Sequence, residues 1–227
     1  MEPRDRLIVA VDLSARDAIL RLVDELRGTV GVFKIGLQAF LANGPSLVSE
    51  IVAGGERVFL DLKIHDIPNT AKHAVAEAVS LGASIATVHT AGGAAMLRAC
   101  AEAAGPLLVL GVTVLTSLDE PELQAIGFAG SPAQNAVRLA RLAQTSGLRG
   151  VVASPLEIAA IRDACGDGFV ILTPGIRPEG SDAGDQRRTM TPREAVAAGA
   201  DYLVVGRPIT GAADPRSAAL RIVEEMG

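Results

Sequence analysis

Short apolar runs recur along the chain, and longer Ala- and Leu-rich stretches with helical spacing follow them. Residues 7–11, 32–35, 58–62, 85–89, 107–112, 150–153, 169–173 and 202–205 read as eight strands. The runs are continuous rather than alternating in polarity, as expected when helices cover both faces of a parallel sheet. Helices are expected at 15–26, with Ser14 as N-cap, and at 70–81, after Pro68 and Asn69 and before Gly82. Others are expected at 93–104, 132–146, 156–164 and 193–198. Eight strand–helix units in one chain of 227 residues predict a (β/α)8 TIM barrel, a single α/β domain over 1–227. The rival fold is an open doubly wound sheet, but the first strand lacks the G-x-G-x-x-G turn that a dinucleotide-binding version carries.

Composition narrows the function classes. At 49% hydrophobic residues, the chain can bury a sizeable core. Its 21 basic and 26 acidic residues give a net charge of −5, with no basic block to follow a phosphate backbone. Aromatics are 3%, too few for base-stacking platforms, so no nucleic-acid partner is expected. Cys100 and Cys165 stand far apart without a CxxC or Cys/His cluster, which disfavours disulfides and structural zinc and fits a reducing cytoplasm. Asp12 ends the first apolar run too early for a signal peptide or membrane span, so no membrane association is expected.

Chemistry in such barrels gathers where strands end and βα loops begin. Here those ends carry Asp12, Lys34, Asp61 with Lys63, His89, Thr113 with Thr116, Ser154, Thr173, and Gly206 with Arg207. The most informative segment is Asp61-Leu62-Lys63-Ile64-His65-Asp66-Ile67-Pro68-Asn69-Thr70. Side chains two apart on a strand share a face, so Asp61 and Lys63 should project together into the barrel mouth, with Asp66 following at the loop. Carboxylates around a lysine favour its charged form, from which an ammonium can donate a proton. Burying such charges for stability alone is often no gain over apolar packing, which favours a functional array that Lys34 and Asp12 could extend.

The loops after strands 7 and 8 are Pro174-Gly175-Ile176-Arg177 and Gly206-Arg207-Pro208-Ile209. Glycines allow close backbone approach and Arg207 offers a fork to phosphate oxygens, so these loops are candidate phosphate grips. The polar stretch 177–191 lacks periodicity and reads as a lid, with Arg187 and Arg188 facing solvent. His65 and His73 read as structural, and His89 as either a ligand contact or a barrel cap.

The ten residues from Asp61 to Thr70 resemble the signature of the orotidine 5′-phosphate decarboxylase family. Further matches are A-V-D at Asp12, F-K-I-G around Lys34, V-L-T-S ending at Ser117, T-P-G-I-R ending at Arg177, and V-G-R-P-I-T ending at Thr210. The resemblance implies cofactor-independent, metal-free conversion of orotidine 5′-monophosphate to UMP and CO₂, the last step of de novo pyrimidine nucleotide synthesis. It implies that Lys63 protonates the C6 carbon that loses the carboxylate, and that Asp61 lies beside the departing group. Asp12 and Lys34 match contacts to the ribose hydroxyls, and Thr116 and Ser117 contacts to the pyrimidine. Arg177 matches a ligand-contacting position, and Gln186 a residue that bridges phosphate and base. Asp66, Ile67 and Thr70 match residues delivered across an interface into a partner's site, which implies a homodimer.

Two other readings compete. Sugar-phosphate enzymes of the same superfamily share D-x-K-x-x-D but use Mg²⁺ and carry a carboxylate near the end of strand 2, where Lys34 stands here. A barrel that binds nucleotide without turnover would not need the full Asp61/Lys63/Asp66 set.

Overall fold

Eight parallel strands pair in chain order and close on themselves: β1 (Leu7–Ala10), β2 (Val32–Gly36), β3 (Val58–Ile64), β4 (Ile85–His89), β5 (Leu108–Val112), β6 (Gly150–Val152), β7 (Val170–Thr173) and β8 (Tyr202–Val205). The first and last strands meet in register, Leu7 opposite Leu203 and Val9 opposite Val205. The (β/α)8 barrel expected from the sequence is therefore the fold. The computed structural model describes residues 1–179 and 188–227. The candidate residue Gln186, and Arg187 beside it, lie outside the described residues.

The strand period of two sorts the apolar residues into two cores. Ile8, Ala10, Val32, Phe59, Ile85, Leu110, Leu172 and Val204 point inward and fill the barrel. Their neighbours Leu7, Val9, Phe33, Ile35, Leu60, Val88, Ile171 and Leu203 point outward under the helices. Both faces are buried, which is why the runs do not alternate in polarity.

The helical layer comprises α1 (Pro3–Arg6), α2 (Arg16–Leu26), α3 (Leu37–Asn43), α4 (Pro45–Ala53), α5 (Pro68–Ser80), α6 (Gly93–Ala103), α7 (Glu120–Ala125), α8 (Pro132–Thr145), α9 (Ile158–Cys165), α10 (Pro192–Ala197), α11 (Arg207–Thr210) and α12 (Pro215–Met226). Reciprocal caps start several of them: Asp119 with Glu122 at α7, Ser131 with Gln134 at α8, and Thr191 with Glu194 at α10. Ser14 is not the cap of α2. Ala15 holds that position without a side-chain bond, while Ser14 Oγ accepts from Gln38 Nε2 at 3.0 Å and ties the first βα loop to α3. No helix is expected from the sequence between β2 and β3, where the chain forms α3 and α4; Gly44, with φ +70°, caps both. No helix among the described residues is long and apolar enough to cross a membrane.

Candidate active site

The inward-facing rows of the barrel change character as they reach the C-terminal mouth. Following the strand period, Ile8 and Ala10 lead to Asp12, Val32 to Lys34, Phe59 to Asp61 and Lys63, and Ile85 to Thr87. The same rows that fill the barrel below therefore converge as charges above.

These charges form one connected array. Lys63 Nζ lies 3.0 and 2.9 Å from the two oxygens of Asp61. Lys34 Nζ donates to Asp12 Oδ1 at 2.9 Å and lies 3.7 Å from Asp61 Oδ2. Asp61 is thus shared by two ammonium groups, and its side chain is only 13% exposed. Thr87, fully buried, locks the array from the next strand. Its Oγ1 donates to Asp61 Oδ1 at 2.9 Å and accepts from the backbone N of Lys63 at 3.0 Å. That bond holds an unusual backbone: Lys63 is the only non-glycine residue described with positive φ, at 51°. The pairing of β3 with β4 shifts register between Leu60 and Ile64, and the irregularity turns Lys63 onto Asp61. Thr87 was not foreseen. Its inward parity with Ile85 and its polarity inside an apolar run were the available signals.

A cavity of about 550 Å³ opens over the array, a size suited to a small-molecule ligand. Asp12, Lys34, Asp61 and Lys63 line one side. Leu115 and Thr116 of the β5 loop, Pro174, Gly175 and Arg177 of the β7 loop, and Gly206 and Arg207 after β8 also line it, over an apolar lining that includes Ala10, Phe59 and Leu172. Gly175 has φ +78°, which favours glycine in that turn. At Gly206 a Cβ would meet only Ala10 Cβ, at 3.6 Å, so packing does not demand the glycine; its bareness leaves room in the cavity. A wider cavity of about 850 Å³ lies at the opposite end of the barrel, with Arg57 and Arg149 as its only charged lining groups. Volume alone would favour it; the connected ammonium and carboxylate array favours the smaller one.

Other expected residues stand apart. Ser117 is exposed and does not line the cavity. Asp66, Ile67 and Thr70 are all exposed at the start of α5, and Asp66 Oδ1 accepts from the backbone N of Ile67 at 2.7 Å. Within one chain, Asp66 therefore does not pair with Lys63. Thr113 Oγ1 bonds Val152 O at 3.0 Å, a contact within the barrel wall. The His65 and His89 rings stack with centroids 5.3 Å apart. Burial, and then the nearby His65 and Lys63, hold the His89 imidazole below the ordinary histidine range. Arg188 does not face solvent: its side chain is 14% exposed and pairs with the buried Glu157 at 2.6 Å.

Residues 5–222 match the profile of the Orotidine 5′-phosphate decarboxylase / HUMPS family. The chain belongs to that family. A curated orotidine 5′-phosphate decarboxylase of Moorella thermoacetica is 50% identical over all of this chain and 94% of its own length. One from Paramagnetospirillum magneticum is 49% identical over 96% of this chain and 97% of its own. The crystal structure of an orotidine 5′-phosphate decarboxylase from Lactobacillus acidophilus superposes with a TM-score of 0.88 at 34% identity, covering 97% of this chain and 98% of that one. The family's barrel thus carries, in this member, two lysines and two aspartates joined by contacts of 2.9–3.7 Å at the cavity.

Proposed function

We propose that this chain decarboxylates orotidine 5′-monophosphate to UMP and CO₂ without a cofactor, the last step of de novo pyrimidine synthesis. The observation that carries this reading is the Asp12–Lys34–Asp61–Lys63 array at the cavity, in a chain about half identical to curated decarboxylases.

Breaking the bond between C6 and the carboxylate leaves its electron pair on C6, a ring carbon with no adjacent electron sink. A preorganised cation near that carbon stabilises the developing charge, because it needs no reorganisation as the charge forms. Lys63 is that cation: Asp61 grips its ammonium through both oxygens, and the ammonium delivers one proton to C6 as CO₂ leaves. The neutral amine then regains a proton from solvent. Asp61 lies beside the departing carboxylate. Lys34 and Asp12, one hydrogen bond apart, hold the ribose hydroxyls. An ammonium between Asp12 and Asp61 also makes that spot hostile to a divalent cation, which argues against the Mg²⁺-dependent branch.

Thr116, which lines the cavity, contacts the pyrimidine. Pro174, Arg177, Gly206 and Arg207 hold the phosphate, with Gln186 bridging phosphate and base. Binding energy from the distant phosphate organises the reacting end. The working form is a cytoplasmic homodimer with its sites at the interface, where Asp66, Ile67 and Thr70 of each subunit complete the partner's site. Asp66, Ile67 and Thr70 are all exposed, as residues that reach a partner's site must be.

The test is to mix the protein with orotidine 5′-monophosphate in excess EDTA and follow the pyrimidine absorbance, with Lys63→Ala alongside. Loss of the substrate signal in the wild type alone is expected. Tight UMP binding without turnover would instead favour a nucleotide-binding protein.

A further inference from the structure

Arg188, which the proposed chemistry does not use, makes four hydrogen bonds beside the cavity. Nη1 donates to Glu157 Oε1 at 2.6 Å, and Nη2 donates to the carbonyls of Leu115 at 3.0 Å and Leu118 at 3.2 Å. Nε reaches the carbonyl of Thr116 at 3.4 Å. One rigid guanidinium thus gathers three carbonyls of a single tight turn, which Leu118 N closes onto Leu115 O at 3.0 Å. Thr116 in that turn lines the cavity.

The anchor is itself fixed. Glu157 is 1% exposed, and its second oxygen accepts from the backbone N of Ser154 at 3.0 Å, just beyond β6. On the other side, Met190 O accepts from Arg177 N at 3.0 Å, and Ile176 bridges Met190, so the strand of chain carrying Arg188 is joined to the β7 loop. Arg188 therefore ties together the loops that follow β5, β6 and β7. A buried ion pair is weak support for stability, because apolar residues of the same volume often do as well. What the pair supplies here is a fixed position for the 115–118 turn.

We propose that Arg188 is a positioning residue: anchored on Glu157, it sets the 115–118 turn where Thr116 meets the pyrimidine. The inference rests on the reading that Thr116 contacts the base, and it makes Arg188 selective for the base end of the ligand rather than the phosphate end.

The test compares UMP with ribose 5-phosphate, which lacks the base, by calorimetric titration of the wild type, Arg188→Ala, Arg188→Lys and Glu157→Gln. Arg188→Ala should weaken UMP by about tenfold or more and leave ribose 5-phosphate within about twofold of wild type. Arg188→Lys should fall between, because a lysine cannot present a planar fork to three carbonyls. If Arg188→Ala fails to fold, Glu157→Gln, which keeps a hydrogen-bonding oxygen but not the charge, must show the same base-selective loss. Equal weakening of both ligands, or none, overturns the proposal. A wild type that holds ribose 5-phosphate as tightly as UMP overturns the nucleotide reading of the site, and this inference with it.

Discussion

Thr87→Val tests the geometry of the charged array without touching a charge. Valine matches threonine in shape, so packing on β4 is conserved while two hydrogen bonds disappear. The backbone N of Lys63 loses its 3.0 Å acceptor and Asp61 Oδ1 its 2.9 Å donor. Leaving a polar group unpaired costs about 1–3 kcal/mol, and a bond to a charged acceptor contributes about 1.5–3 kcal/mol. Partial relaxation leaves an expected stability loss of about 2–4 kcal/mol, which in a chain of this size lowers Tm by roughly 5–15 °C. The positive φ of Lys63 then loses its restraint, and its ammonium drifts relative to Asp61. If only the bond to the carboxylate matters for turnover, kcat/KM should fall roughly 10- to 100-fold. Thr87→Ser is the control: it keeps both bonds, sacrifices one methyl at about 1 kcal/mol, and should retain near-wild-type kcat/KM. Melting curves and steady-state decarboxylation on the three proteins decide the matter. A Thr87→Val protein with wild-type Tm and kcat/KM would refute the claim that Thr87 sets the array.

Three further outcomes are expected. Lys63→Ala and Asp66→Ala should each be inactive alone, yet mixed subunits should regain activity, since heterodimers contain one site with both residues intact; no recovery would argue that Asp66 acts within its own chain. Because His89 is held below the usual 6.5, the unfolded chain binds more protons than the folded one under mildly acidic conditions. Its contribution to stability is therefore complete above that value and is lost as pH falls below it, so urea midpoints should drop with acidification and drop less in His89→Gln. In Gly36→Ala the new Cβ would approach Lys34 Nζ to 2.9 Å and Asp12 Oδ1 to 3.1 Å. Both are flexible side-chain ends, so Tm should change little while ligand affinity falls several-fold; unchanged affinity in calorimetric titration would show that the Lys34–Asp12 contact is dispensable.

The periodicity of the chain carried the architecture, because a strand buried on both faces must be apolar throughout, and eight such runs with helical spacers leave few alternatives to a closed barrel. The Asp61/Lys63 pairing was legible for the same reason, as residues two apart on a strand share a face. Other features were not. Thr87 reads as an ordinary strand residue because its meaning lies in a neighbour 26 positions away. Arg188, in a polar stretch, reads as a solvated charge. Its burial follows only once loops from three strands meet around it.

What the sequence alone determined was therefore local: which segments are strands, which face of each points inward, and which charges stand at the strand ends. The tertiary structure decided which of those charges touch. Closing the barrel brings Lys34 within 2.9 Å of Asp12 and 3.7 Å of Asp61, and the β3 irregularity turns Lys63 onto Asp61. The reason is physical: spacing along a strand sets direction, but distances between strands arise only from ring closure and register.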